Sequence, residues 1–179
     1  EVETAALAVN AQGSSNSEDA NLALTARLDT LARFVPDLPG PVTFEGSVDR
    51  NTDGFVVDGT GTGPAGLRLG IDGSVAQDFS TADLGIRGAA RLEMAGPVIN
   101  PRTASGGIDY DLRVNGPLGL DAMSGTVTLA GARVADPTIG FALEQLGGSA
   151  QLSNANVNLD FSGRGNRGGR VSLGGSLGL

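Results

Sequence analysis

Three oxygen-bearing side chains at alternate positions, Asp49, Asn51 and Asp53, precede Gly54. In a calcium loop, oxygens at positions one, three and five ligate the ion and a glycine at six makes the turn. The bidentate acid of position twelve is missing, since Thr60 stands there, and the flanks alternate like strands rather than helices. The same residues suit a β-hairpin turn. The turn is the expectation, with Asp49, Asn51 and Asp53 kept as a weak metal candidate. Asp109 and Asp111 share one face of a strand, an arrangement that can do acid–base work when buried. Nothing in the sequence buries them, and Arg113 on the same face is expected to neutralise one. Gly61-Thr-Gly63-Pro-Ala-Gly66 has the letters of a dinucleotide loop but leads into a strand pattern, not a helix. Gly174-Gly-Ser176-Leu-Gly178 has the letters of a nucleophile elbow but neither the strand-to-helix turn nor a histidine. Arg164, Arg167 and Arg170 form the one locally basic patch, in a glycine-rich segment with no acid after Asp160. Its candidate ligand is a phospholipid head group or another anion; a solvated hairpin turn is the plainer reading.

The residue types that are missing narrow the chemistry further. The chain has no His, Cys, Trp or Lys, so all 12 of its basic residues are Arg. That removes disulfides and thiolate nucleophiles, the usual zinc ligands, the imidazole base of a Ser-His-Asp triad, and Schiff-base lysines. No cofactor is expected, and an enzyme is the class that the composition favours least. Net charge is −8, without a basic footprint for duplex nucleic acid. The six Phe and one Tyr are too few to stack along a single strand. No apolar run is long enough to span a bilayer as a helix. The first residues already read as a strand, so a slice of a larger protein is expected, with targeting and anchoring segments outside it.

The elements that must position these residues are strands. Apolar side chains recur at every second place: Leu22, Leu24, Ala26 and Leu28; Leu67, Leu69, Ile71 and Val75; Leu84, Ile86, Ala90, Leu92 and Met94. The pattern continues through Ile108, Tyr110, Leu112 and Val114, then Val127 and Leu129, then Val157, Leu159 and Phe161, and ends in Leu173 and Leu177. A period of two puts each set on one face of a strand, with the intervening polar residues on the other. Turn-forming residues separate the runs, and ten or eleven strands in a meander are expected. Asp72-Gly73 reads as a turn signal that falls inside a run, where it would be a bulge. One short helix is expected near 29–35, capped by Asp29 and ended by Pro36.

A half-apolar antiparallel sheet must hide one face. A sandwich, a closed barrel and one long sheet curled into a groove all do so. Aliphatic rather than aromatic inward positions, with Gly46, Gly70, Gly88 and Gly131 inside strands, favour the curled sheet. A membrane barrel would carry aromatic girdles, which this composition lacks.

Three stretches carry a family resemblance: Ala26–Pro36 leading into Pro41–Val48, Ser124–Pro137 running into Thr138–Gly148, and the close Gly168–Leu179. In cadence they resemble the repeats of TamB-like proteins, the inner-membrane subunits of the bacterial translocation and assembly module. The resemblance is one of style, covers most of the chain from about Asn21, and extends to AsmA-like proteins. It implies an all-β meander curled into a groove, a β-taco, with 1–179 a single slice of a longer periplasmic structure anchored in the inner membrane elsewhere. It also implies a TamA-type outer-membrane barrel as partner, and roles in phospholipid movement, outer-membrane biogenesis and autotransporter assembly.

Residues and resemblance converge on a non-enzymatic groove that shields acyl chains. Its expected lining is Leu67, Leu69, Ile71, Leu84, Ile86, Leu92, Ile108, Leu112, Val127, Leu129, Val157 and Leu159, with Arg164, Arg167 and Arg170 at head groups. Two alternatives stay open: a chaperone-like scaffold that holds strands of secreted or outer-membrane proteins by edge addition, and a passive calcium-binding surface domain.

Overall fold

The structure, a computed structural model, describes residues 7–15, 20–28 and 40–178; the helix expected at 29–35 lies outside them. The described residues form one eleven-stranded sheet in chain order. Its strands are β1 (Leu7–Ser15), β2 (Ala20–Leu28), β3 (Val42–Asn51), β4 (Gly54–Thr62), β5 (Arg68–Ala76) and β6 (Thr81–Arg91). The longer β7 (Thr103–Pro117), β8 (Met123–Asp136) and β9 (Phe141–Ser153) follow, then β10 (Asn156–Gly165) and β11 (Arg170–Gly178). Each strand pairs antiparallel with its chain neighbours, so the sheet is an open, curled meander with β1 and β11 as its edges.

Local chemistry makes the turns. At β3–β4 the turn is Thr52-Asp53, and the Asn51 side-chain oxygen accepts from the backbone N–H groups of Asp53 (2.9 Å) and Gly54 (3.0 Å). At β9–β10, Asn154 and Ala155 have φ of 48° and 55°, the pair of positive angles of a type I′ hairpin turn. Asp78 closes the β5–β6 turn by accepting from Ser80 N–H and hydroxyl, which lowers its pKa.

Two expectations about strand ends are corrected. Alternation through Leu92 and Met94 does not continue the strand: β6 stops at Arg91, and Leu92–Ala95 and Gly96–Ile99 form successive helical turns. Proline in the first helical turn has no N–H to give a ladder and a φ already suited to a helix. Asp72-Gly73 is neither turn nor bulge, because Gly73 stays in unbroken register with Val57 and Leu84. A glycine is nonetheless required there: φ is +141°, and a β-carbon would collide with the Asp83 carbonyl.

The bulges lie elsewhere, in a line. The ladders from β1 to β7 are unbroken, whereas β7–β8, β8–β9 and β9–β10 all shift register near Gly106, Gly131, Gln145 and Gly163. Each extra residue moves the alternation by one place. That is how Leu129 and Ala132, or Leu143 and Leu146, three apart in sequence, share a face.

The core is small. Among the described apolar side chains only Ala82, Val114, Ala132 and Ala142 are buried. Only short helical turns, among them Leu92–Ala95 against β7, accompany the sheet among the described residues, so most of its apolar side chains shelter one another.

Candidate functional site

Strand register assembles the apolar residues into rows that cross the sheet. One row reads Ala11, Leu24, Gly46, Gly59, Ile71, Ile86, Leu112, Gly125, Leu152, Val157, Leu177, one residue per strand in direct pairing. The adjacent row on the same face runs Val9, Ala26, Phe44, Gly61, Leu69, Gly88, Tyr110, Val127, Ala150, Leu159, Gly175. Ten inter-strand spacings of about 4.8 Å make each row roughly 48 Å long. A whole bilayer's hydrocarbon core is about 30 Å thick. From β2 to β10 the apolar side chains of these rows are half-buried, while most residues between them are exposed. In a single curved sheet only the inside of the curl crowds its side chains, so the apolar rows line the inside.

Glycine and aromatic residues shape this face together. The Phe44 ring lies where a β-carbon at Gly59 would be, and the Tyr110 ring does the same at Gly88. Phe161 lies over Gly148. The rings therefore lie down along the sheet instead of filling the groove, the arrangement in which an aromatic covers a strand glycine. Tyr110 is held there by a hydrogen bond from its hydroxyl to the Arg68 carbonyl (2.8 Å), and burial raises its pKa above the usual phenol value.

Of the expected lining, Leu69, Ile71, Leu84, Ile86, Ile108, Leu112, Val127, Leu129, Val157 and Leu159 all lie on this one face. Leu67 and Leu92 are off the sheet: Leu67 is in the turn before β5, and Leu92 begins the helical turns after β6. The expected set omits Phe44, Tyr110 and Phe161, although their alternation phase in the sequence already put them on this face.

The opposite face is charged, and Asp72, Asp83, Arg87, Asp111 and Arg113 on it pair with one another. Arg113 donates to both carboxylate oxygens of Asp83 (3.0 and 2.8 Å). That hydrogen bond, with Arg113's charge, lowers the Asp83 pKa despite the opposing cost of desolvation. Arg87 bridges Asp72 (3.1 Å) and Asp111 (3.6 Å). Arg113 therefore neutralises neither Asp109 nor Asp111, because its register partners are Gly85 and Ser124 and its nearest carboxylate is across the ladder on β6. A recess of about 320 Å³ opens among these groups beside Gly85.

The weak metal candidates do not converge. Asn51 spends its oxygen on its own turn, and Asp49 accepts from the Asn21 side chain on β2. Arg164 and Arg170 face each other in register across β10–β11, and Arg167 lies in the turn that joins them. Ser176 is a strand residue paired with Asn158. A recess of about 570 Å³ lies at the other end of the strands, between Phe55, Val75 and Ala82 on one side and Asp53, Asp83 and Asn115 on the other.

Comparisons with protein-family models, with curated proteins and with solved structures find no match to this chain.

Proposed function

We propose that this chain is a segment of a TamB-like periplasmic conduit whose curled sheet shields phospholipid acyl chains from water between the inner and outer membranes. One observation carries the reading: two rows of residues cross all the strands, their apolar side chains are half-buried from β2 to β10, and no second layer of sheet or long helix covers them among the described residues. Each acyl methylene buried against them contributes about 0.8 kcal/mol. Successive strands present similar aliphatic surfaces, so a chain sliding along a row meets little change in free energy.

The test is native mass spectrometry of the purified chain with extraction of bound lipid. The expected result is near-stoichiometric phospholipid, lost in Leu112→Asp and in Leu129→Arg while the circular dichroism of the sheet persists. Lipid-free protein, or lipid retained in both folded variants, overturns the reading.

The second reading, a scaffold that holds client strands by strand addition, can be tested at the β11 edge of this chain. That strand is exposed along its length, has Arg170 as its one charge, and shows Leu173 and Leu177 each 58% exposed. Natural sheet edges are usually blunted by charge, proline or bulges. Along a strand, successive N–H groups point to opposite sides. Of Ser172→Pro and Leu173→Pro, the variant whose N–H faces outward would abolish client-strand pairing without lipid loss.

A further inference from the structure

In a meander, alternate turns lie at opposite ends of the strands. The turns after β2, β4, β6, β8 and β10 make one rim of the curled sheet, here the even rim; those after β1, β3, β5, β7 and β9 make the odd rim. The charges divide between them. The described odd-rim turns contain Asp53, Asp78 and Asp121 and no basic residue, and Arg50, next to last in β3, is the one arginine at a described strand end there. The even rim carries Arg27 at the end of β2, Arg68 at the start of β5 and Arg91 at the end of β6. Its last hairpin holds Arg164, Arg167 and Arg170. Arg102 and Arg133 also stand on this rim, matched by Asp136 at 2.9 Å and Glu144 at 3.7 Å. Glu93, and Glu45 near the start of β3, are the further acids on this rim among the described residues. Arg68, Arg91, Arg164, Arg167 and Arg170 make no ion pair among the described residues.

The β10–β11 hairpin adds a second observation. Arg164 and Arg170 stand directly opposite each other, a like-charge pairing that opposes the ladder. Both line two recesses, of about 410 and 390 Å³. Val171, whose partner Gly163 continues the apolar side of β10, lines the first of them. At the β10–β11 hairpin the guanidinium groups, which leave the polar face, thus share a recess with the margin of the apolar face, while the described turns of the other rim carry carboxylates. A phospholipid has the matching order of parts, a phosphate next to acyl chains.

We infer that the even rim docks on anionic lipid head groups, so that a lipid in the groove lies with its phosphate toward this rim and away from the acidic one. The direction of the bound lipid rests on the acyl-shielding reading; the docking of the rim on a membrane surface does not. Arginine suits the task, because its planar fork pairs bidentately with phosphate oxygens.

The experiment is flotation of the whole chain with vesicles of equal phosphatidylglycerol and phosphatidylcholine, against vesicles of phosphatidylcholine alone. Each arginine near an anionic surface contributes roughly fivefold to partitioning at low ionic strength. Arg164→Gln/Arg167→Gln/Arg170→Gln should therefore weaken binding to the anionic vesicles at least about tenfold after screening. The matching Lys triple should keep most of it. A control with the same charge change, Arg50→Gln/Arg87→Gln/Arg113→Gln, should lose less than about twofold. Comparable thermal melts verify folding, and the hairpin triple should melt no lower than the parent, since it relieves the Arg164–Arg170 opposition. Equal losses in the two Gln triples, or equal binding to both kinds of vesicle, overturn the inference. So does tighter, equally Arg-dependent binding to a single-stranded oligonucleotide. If the rim fails while acyl lipid still co-purifies, the groove reading stands without it; if vesicle binding holds in a lipid-free protein, the rim stands and the groove reading falls.

Discussion

Strands β1–β6 and strands β7–β10 belong to one sheet but solve its geometry differently. In the first group every ladder is in unbroken register, and curvature is spread over glycines lying beneath or beside side chains. In the second, a line of bulges crosses three consecutive ladders. Beside it Ala132 is the most fully buried of the described apolar side chains. A bulge concentrates a bend that regular strands distribute. The bulged region should therefore be intolerant of added atoms, and the regular region should accept them wherever a glycine has open space.

The sharpest way to break this contrast is a pair of glycine substitutions. A β-carbon on Gly106 would stand 2.6 Å from the Ala132 Cα, at a φ of +129°. Gly106→Val should cost about 3 kcal/mol, from backbone strain together with overpacking. Gly70, on the regular β5, has only the Arg87 carbonyl within reach, at 3.7 Å. Gly70→Ala should be neutral or stabilise by about 0.5 kcal/mol. Urea midpoints measure both, and similar midpoints would remove the distinction between the regions.

An intermediate effect is expected where ring and glycine share a space in the regular region. Phe44→Ala should cost about 2 kcal/mol, since the ring is only half-buried. Gly59→Ala should cost about 1–2 kcal/mol by displacing that ring. The double variant should lose less than the sum, because the new methyl then enters vacated space. Strict additivity in the double-mutant cycle would show that the ring does not cover Gly59.

The smallest effects belong to two ion pairs, one that joins β6 to β7 across the boundary and one in the bulged region. Asp83 on β6 is held below the usual carboxylate pKa chiefly by its hydrogen bond from Arg113. At Asp136 on β8, desolvation pushes upward but is outweighed by hydrogen bonds from Arg102 and Thr138, and the net shift is down. A depressed folded pKa contributes stability that is complete above the unfolded value, about 3.9, and is lost as pH falls through the folded one. The acid limb of stability should therefore fall away below about pH 4. Arg113→Gln should return Asp83 to the ordinary range while leaving Asp136 in place, as read from carboxyl carbon chemical shifts. A simultaneous move of both would mean that the pairs are coupled across the bulge line.

Much of the architecture was legible because alternation is a local property. Residues two apart share a strand face whatever the strand packs against, so the apolar set around Ile71, Ile86 and Leu112 could be assigned before any pairing was known. Asn51-Thr-Asp-Gly54 could be recognised as a turn because its hydrogen bonds close within the segment. Rim membership was also legible: once strands are counted, each charge in a turn falls on the odd or the even rim. The slips at Leu129 to Ala132 and Leu143 to Leu146 are visible as broken alternation, but a broken phase does not reveal whether the strand bulges or stops. At Gly131 it bulges, and after Arg91 it stops.

The sequence by itself therefore determined an all-β meander, the two faces of its strands and the chemistry of its short turns, since each depends on neighbours a few residues away. Tertiary structure decided what those neighbours cannot specify. It left the sheet curled and open rather than folded into a sandwich, aligned the bulges of β8 and β9 across three ladders, paired Arg113 with Asp83 instead of Asp111, and laid Phe44 and Tyr110 flat over glycines of adjacent strands. Each of these depends on register and twist accumulated over residues far apart in the chain, and register exists only once strands have paired.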